Sequence, residues 1–265
     1  MGEKTMKTIY LRLPDGDPAL ETGAVIVRAH LEAKGHKIVR NKTKDYDVTL
    51  CWGCGTRDPL VKRVPALNGD INSFNKRSAL EQFQKTGVFT PRIVSMNPEL
   101  GPWEWPSIKE APLPWFARKI SHAKGKDIVA CKTQRDVLDT YYAKTHDFFS
   151  VYVPHHRELR AWVFQDETFA VYHKYYRNPG IENYKNLEYR SELCEDLLYS
   201  KELTTSAVKA VQALRMDFGA VDILEGEDNN YYVLEVNSMP EISSMIRVSG
   251  IRLANLVSDW AEAQL

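Results

Sequence analysis

The stretch YYVLEVNSMPEI, Tyr231 to Ile242, constrains the fold more than any other part of the chain. Tyr231, Tyr232, Val233, Leu234 and Val236 are aromatic and aliphatic residues that suit a pleated sheet. Glu235 and Asn237 break that pattern. Side chains alternate across a strand, so these two oxygen-bearing groups project from one face, roughly 7 Å apart along the chain. A carboxylate aimed into an apolar sheet is costly unless it is paired or bound to a cation, so positive charge is expected there. Upstream, FGAVDIL (Phe218 to Leu224) reads as a second strand, and the polar loop EGEDNN (Glu225 to Asn230) is long enough to turn it back antiparallel. If the ladder closes directly on that loop, Leu224 opposes Tyr231 and Asp222 opposes Val233. Asp222 then lies diagonal to Glu235, roughly 7 to 8 Å away. Asp222, Glu235 and Asn237 are hard oxygen ligands, which favour magnesium, or manganese in its place, over zinc. The competing reading is an edge hairpin whose acids face water. Convergence of these groups inside apolar sequence favours the metal.

The 265 residues suffice for one large domain or two moderate ones. Thirty-five basic residues cancel thirty-five acidic ones, so charge gives no support for broad attraction to nucleic acid or to an anionic membrane. The N-terminal MGEKTMKTIYLRL carries charges where a signal peptide needs an apolar core, and no run of 18 apolar residues occurs, so a cytoplasmic protein is expected. Cys51 and Cys54 form CWGC, but Cys131 and Cys194 are solitary. A strand end running into a glycine loop at Gly53 and Gly55 is preferred there over a redox pair or half a zinc site.

The predicted class is mixed α/β. Strands at Thr8 to Leu13, Lys37 to Arg40 and Tyr46 to Trp52, with a helix over Ala19 to Lys34 ended by Gly35, give a small parallel sheet with a crossover helix. A helix over about Lys76 to Thr86 follows, closed by Gly87 and Pro91, and Pro98 to Pro114 is expected as an irregular packed loop. Trp115 to Ile120, Ile128 to Lys132, Phe148 to Val153, Leu159 to Phe164 and Phe169 to Lys174 have strand character. Val137 to Lys144 and Thr204 to Met216 have helix character, with Thr204 or Thr205 expected to cap the latter.

Four blocks, in order, resemble the ATP-grasp ligases. SFNKRSALEQFQKTGVFTPRIV, from Ser73, is similar to that family's opening helix and turn. FARKISHAKGKDI is similar to its strand, flap and strand, and RELRAWVF with AVYHKYYRN to its paired basic strands. FGAVDIL with VLEVNSMPEI resembles the family's metal hairpin, closest to the branch of the ribosomal-protein glutamate ligases. The resemblance covers Ser73 to the C-terminus. It departs from the family in having Arg118 followed by Lys119 where a lysine and a proline are usual, in a flap with only Gly125, and in Val151 where a hinge glutamate is common.

The resemblance implies a small N-terminal parallel α/β domain over 1–72 and a two-lobed ATP-grasp domain over 73–265. It implies ATP and Mg2+ (or Mn2+) as cofactors, with the metal on Asp222, Glu235 and Asn237. The nucleotide would meet Lys76, Lys119 with Arg118 as its rival, and backbone groups at Tyr152 and Val153; Arg160 and Lys174 would serve the phosphoryl centre. The implied activity is an ADP-forming carboxylate-amine ligation through an acylphosphate, on small-molecule substrates such as an amino acid or peptide. A nucleotide-binding regulatory or assembly module without ligase activity is the alternative. Nucleic acid binding through His155 to Arg190 is the weakest reading, and oligomeric state is left open. The loop Trp52 to Thr56, with Arg57 beside it, is expected near the cleft as a substrate contact, because loops at the C-terminal ends of parallel strands line ligand crevices.

Overall fold

The computed structural model describes residues 6–13, 21–40, 45–54, 64–71, 75–94, 113–120, 128–176, 189–238, 240 and 247–264. The chain begins with β1 (Thr8–Arg12), α1 (Glu21–Ala33), β2 (Lys37–Val39), β3 (Val48–Cys51) and β4 (Ala66–Leu67). These strands form a parallel sheet in the order β2-β1-β3-β4, with the crossover helix expected from the sequence. Burial of every residue of β3 fits a parallel sheet covered on both faces. Gly35 follows α1 at φ 97°, a left-handed conformation that glycine adopts without strain.

Two antiparallel sheets follow. The helix α2 (Lys76–Lys85), capped by Asn75, precedes β5 (Ile93–Val94), β6 (Trp115–Arg118), β7 (Ile128–Cys131), α3 (Gln134–Tyr142) and β8 (Phe148–Val151). These strands pair in the order β5-β8-β6-β7 over a small core of Trp115, Ala117, Val137 and Phe149. The larger sheet is built from β9 (His155–Phe164), β10 (Glu167–Tyr176), β11 (Tyr189–Leu193), β12 (Phe218–Gly226) and β13 (Tyr231–Asn237), ordered β11-β10-β9-β12-β13. Between β11 and β12 lie a 3-10 turn (Asp196–Tyr199) and α4 (Lys201–Ala213), and α5 (Arg247–Glu262) comes last.

Strand periodicity explains how this sheet joins the rest. Leu159, Ala161, Val163, Val171, Val221 and Ile223 share a core with Leu80 and Phe83 of α2 and Leu203, Ala207 and Val211 of α4. The alternate residues Trp162, Phe164, Ala170, Tyr172, Phe218 and Ala220 share another with the parallel sheet, α1 and α5. Fully burying a residue such as Trp162 or Phe218 contributes about 1.5 to 3 kcal/mol, so this second core binds the N-terminal sheet firmly. Asn68 adds a polar staple. It is fully buried at φ 56°, its Nδ2 donates to Phe218 O at 3.1 Å, and its Oδ1 accepts from the amides of Asp217 (2.7 Å) and Phe218 (3.0 Å).

One helix boundary is corrected, and several elements are added. The helix expected from Thr204 begins at Lys201, and its cap is Ser200, whose Oγ accepts from Leu203 N at 3.4 Å. Thr204 instead donates its hydroxyl back to Ser200 O at 2.9 Å. The helix starts earlier because Leu203 belongs to the buried face. Strand β11 and helix α5 are additions: β11 pairs with β10 over Tyr172 to Tyr176, and α5 buries Leu253, Ala254, Val257 and Ala261 at helical spacing. The loop expected over Pro98 to Pro114 lies almost wholly outside the described residues. No helix among the described residues is long and apolar enough to cross a membrane.

Candidate active site

The second correction concerns the hairpin register. Glu225 opposes Tyr231 and Ile223 opposes Val233, but Asp222 opposes Glu235, so Leu234 is an extra residue in β13. The turn closes one residue later than direct closure requires, with Gly226 N donating to Asn230 O at 2.8 Å, and the bulge at Leu234 then restores the shared face. Asp222 and Glu235 are therefore direct cross-strand partners rather than diagonal ones, a geometry that sets Cβ atoms about 4.5 to 5.5 Å apart. Asn237 opposes Ala220 farther along the same ladder. Gly219 lets the strands approach here: a Cβ on it would stand 2.9 Å from Val236 Cγ1 and 3.3 Å from Asn237 O.

Strand register also delivers the cations. Arg160 on β9 sits opposite both Asp222 on β12 and Tyr172 on β10. Its guanidinium grips Asp222 in a fork, Nε to Oδ1 at 2.7 Å and Nη2 to Oδ2 at 2.8 Å. Lys174 Nζ donates to Asp222 Oδ2 at 2.8 Å and to Glu158 Oε1 at 2.7 Å. Arg160, Lys174 and Asp222 are all buried. Burial alone would raise the Asp222 carboxyl, yet the charges and hydrogen bonds of Arg160 and Lys174 outweigh it and hold the group well below the usual carboxylate range. Burial likewise opposes the charge on Lys174, and Asp222 with Glu158 overcomes it, so the ammonium is held above its ordinary value. At the first residue of α2, Lys76 pairs with Glu235 in a more exposed position. Among the described residues three carboxylates thus meet three cations.

Glu158 is the member that sequence reasoning leaves out of the site. It pairs with Lys174, which it opposes directly in the β9–β10 ladder. Its place two residues before Arg160, on the same strand face, is the signal that marks it.

Arg118 ends β6 in the smaller sheet, and Lys119 follows it. Trp115 and Ala117 face the small core, whereas Phe116 meets the Tyr152 ring edge-on at 5.6 Å. Alternation assigns Arg118 to the Phe116 face. Tyr152 and Val153 form the link from β8 to β9. The Tyr152 amide donates to Pro114 O at 3.0 Å, and His155 Nδ1 donates to Val153 O at 2.8 Å.

The loop after β3 reaches the hairpin. Trp52 N donates to Arg12 O at 2.9 Å, and Gly53 N, at φ 71°, donates to Ser238 O at 3.2 Å, next to Asn237. Arg57, Gly55, Ser73 and the flap residues Lys124 and Gly125 lie outside the described residues. The Cys51 thiol is pushed up by its hydrogen bond with Cys54 and by burial.

The donor set suits a hard dication. Among the described residues no three His, Cys, Asp or Glu side chains cluster as a metal site, and Asp222, Glu235 and the Asn237 amide are the oxygen groups that would hold a metal here. That arrangement fits magnesium, which is held by few carboxylates and by substrate oxygens.

An antiparallel lobe and a larger antiparallel sheet, with a carboxylate hairpin gripped by basic side chains, are the parts of an ATP-grasp fold. The solved structure of the ATP-grasp ligase PsnB, complexed with minimal precursor, Mg and ADP, has this fold: the TM-score is 0.66 over 97% of both chains, at 14% sequence identity. The chain belongs to the RimK-like ATP-grasp family, whose domain model matches residues 107–261. It is 31% identical over 121 residues to the tetrahydromethanopterin:alpha-L-glutamate ligase of Methanocaldococcus jannaschii, covering 46% of this chain and 39% of that protein. A probable alpha-L-glutamate ligase of Pasteurella multocida is 23% identical over 263 residues, covering 92% of this chain and 79% of that protein.

Proposed function

We propose that the protein is an ATP-dependent, ADP-forming ligase that joins a carboxylate to an amine, with an amino acid or peptide among its substrates. One observation supports this reading: Asp222, in register with Glu235, is gripped by the buried Arg160 and Lys174, so oxygens suited to a metal adjoin cations suited to a phosphoryl group. Membership of the RimK-like family and the ligase names of its relatives support it over a regulatory nucleotide-binding module.

In the first step an oxygen of the substrate carboxylate attacks the γ-phosphorus of ATP and ADP leaves, giving an acylphosphate. The amine nitrogen then attacks the acyl carbon, the C–N bond forms, phosphate leaves, and the nitrogen releases a proton to solvent. Charge spreads over the transferring group, so positioning and electrostatics dominate. Arg160 and Lys174 are assigned to that charge, the planar guanidinium of Arg160 being the better match to phosphoryl oxygens. Asp222, Glu235 and Asn237 would hold magnesium, which when bound neutralises phosphate charge. Lys76 serves the nucleotide from α2, and Arg118, on the Phe116 face, is preferred to Lys119. The adenine is read by backbone groups of Tyr152 and Val153; with the Tyr152 amide bonded to Pro114, the Tyr152 carbonyl and the Val153 amide are the groups assigned. Residues 1–72 form the substrate-side domain and 73–265 the ATP-grasp domain.

Calorimetry with Mg·ATP on the parent and Glu235→Gln tests the reading. The substitution should abolish magnesium-dependent ATP binding and ADP release while leaving the melting temperature nearly unchanged. Equal magnesium-dependent binding by both proteins would remove the metal assignment.

A further inference from the structure

Arg12 ends β1 on the edge of the N-terminal sheet where β3 also ends, and it is half-buried opposite Cys51. Its Nη1 is buried and meets no acceptor, and among the described residues no carboxylate pairs with it. Asp217, whose charge like that of Arg12 reaches the Cys51 thiol, accepts from the Asn68 amide and makes no ion pair with Arg12. A charged donor kept from both water and acceptor costs free energy that a bound anion would recover.

The surroundings of Arg12 say where such an anion would lie. Its carbonyl accepts from Trp52 N at 2.9 Å and from Cys54 Sγ at 3.5 Å, and Gly53 between them donates to Ser238 O at 3.2 Å. Arg12 therefore stands at the hydrogen-bonded junction between the parallel sheet and the end of the carboxylate hairpin. Trp52 in the same junction also has a buried indole N–H without an acceptor. The C-terminal ends of parallel strands line the ligand crevice in open α/β sheets, which is the end Arg12 occupies.

We infer that Arg12 is the counter-ion for a carboxylate of the amino-acid substrate, an inference that rests on the ligase reading above. Among the described residues the phosphoryl cluster sets three carboxylates against three cations, so Arg12 is the cation there without a carboxylate of its own. An amino acid joined through its amine keeps its carboxylate from binding to product release and needs a permanent partner. The guanidinium fork matches a carboxylate in two parallel hydrogen bonds, which an ammonium does not.

The test is calorimetry on the full chain. Mg·AMPPNP is titrated first, and then L-glutamate, the amino acid in the relatives' names, beside its α-amide and its γ-amide. The parent should bind glutamate at least tenfold more tightly than one of the amides. In Arg12→Gln, glutamate should fall to the level of that amide, while the amide itself and Mg·AMPPNP stay within twofold of the parent. Arg12→Lys should be intermediate, since it keeps the charge and loses the fork. The inference is overturned by glutamate binding within twofold of the parent in Arg12→Gln, by a parent that does not prefer glutamate to either amide, or by parallel loss of glutamate and Mg·AMPPNP. If the parent does not bind Mg·AMPPNP, the ligase reading falls and this one with it; if it does and the Arg12 results fail, only the Arg12 assignment falls.

Discussion

Substituting Asp222 and Glu235 separately should divide the hairpin into a structural half and a ligand-facing half. Asp222 is 5% exposed and holds two buried cations, Arg160 and Lys174. Asp222→Asn keeps the shape but removes the charge that Arg160 and Lys174 both meet. Removing one partner from a buried ion pair costs about 3 to 5 kcal/mol. At about 2 to 4 °C per kcal/mol for a chain near this size, the melting temperature should fall by about 6 to 20 °C. Glu235 differs in burial. Its side chain is 36% exposed and that of its partner Lys76 is 27% exposed, so solvent screens the pair and its loss costs at most about 1 kcal/mol. Glu235→Gln should therefore melt within about 4 °C of the parent and still lose the response to Mg·ATP. Scanning calorimetry with and without Mg·ATP reads both effects. If Asp222→Asn melts within about 2 °C of the parent, or if the two variants lose equal stability, the buried network does not carry the load assigned to it.

Three further outcomes follow from the same geometry. Because the Asp222 carboxyl is held below its ordinary value, the stability it contributes is complete above the unfolded value of about 3.9 and is lost as pH falls below it. Urea midpoints between pH 2 and 7 should fall more steeply below pH 4 in the parent than in Asp222→Asn; parallel curves would exclude this cause. Gly219→Ala places a methyl 2.9 Å from Val236 Cγ1 and 3.3 Å from Asn237 O, so it should shift the end of β13 and weaken magnesium-dependent ATP binding severalfold more than magnesium-free adenosine binding. Equal weakening of both would mean a general folding defect. Arg118→Ala should weaken ATP more than adenosine and by more than Lys119→Ala does, and the opposite ranking would return the phosphate contact to Lys119.

The hairpin was legible in the sequence because Glu235 and Asn237 contradict the apolar strand that carries them, and such a contradiction needs a chemical reason. Arg160 and Lys174 were legible only through the resemblance, since an arginine or lysine within a strand is ordinarily a solvated residue. The register was not legible. It depends on where the Gly226–Asn230 turn closes and on the bulge at Leu234, and period-two alternation is blind to an inserted residue. Glu158 was missed for a related reason: its pairing with Lys174 follows from the cross-strand register, not from sequence distance. Asn68, which ties β4 to the start of β12, and Arg12, whose buried Nη1 meets no acceptor among the described residues, are single polar residues in unremarkable segments. Their meaning comes from chain segments far away in sequence. The helix α5 did carry a readable apolar stripe, though Gly250 near its start weakens the helical signal.

The central claim, that ATP is split to ADP to drive an amide bond, is tested most directly by following nucleotide products while amino acids and small peptides are offered in pairwise combinations with Mg·ATP. The account predicts ADP and phosphate in equal amounts, released only when a suitable carboxylate and a suitable amine are both present, with one amide bond formed per ADP and no AMP. Release of AMP and pyrophosphate, or tight ATP binding with no ADP release under any combination, would contradict it.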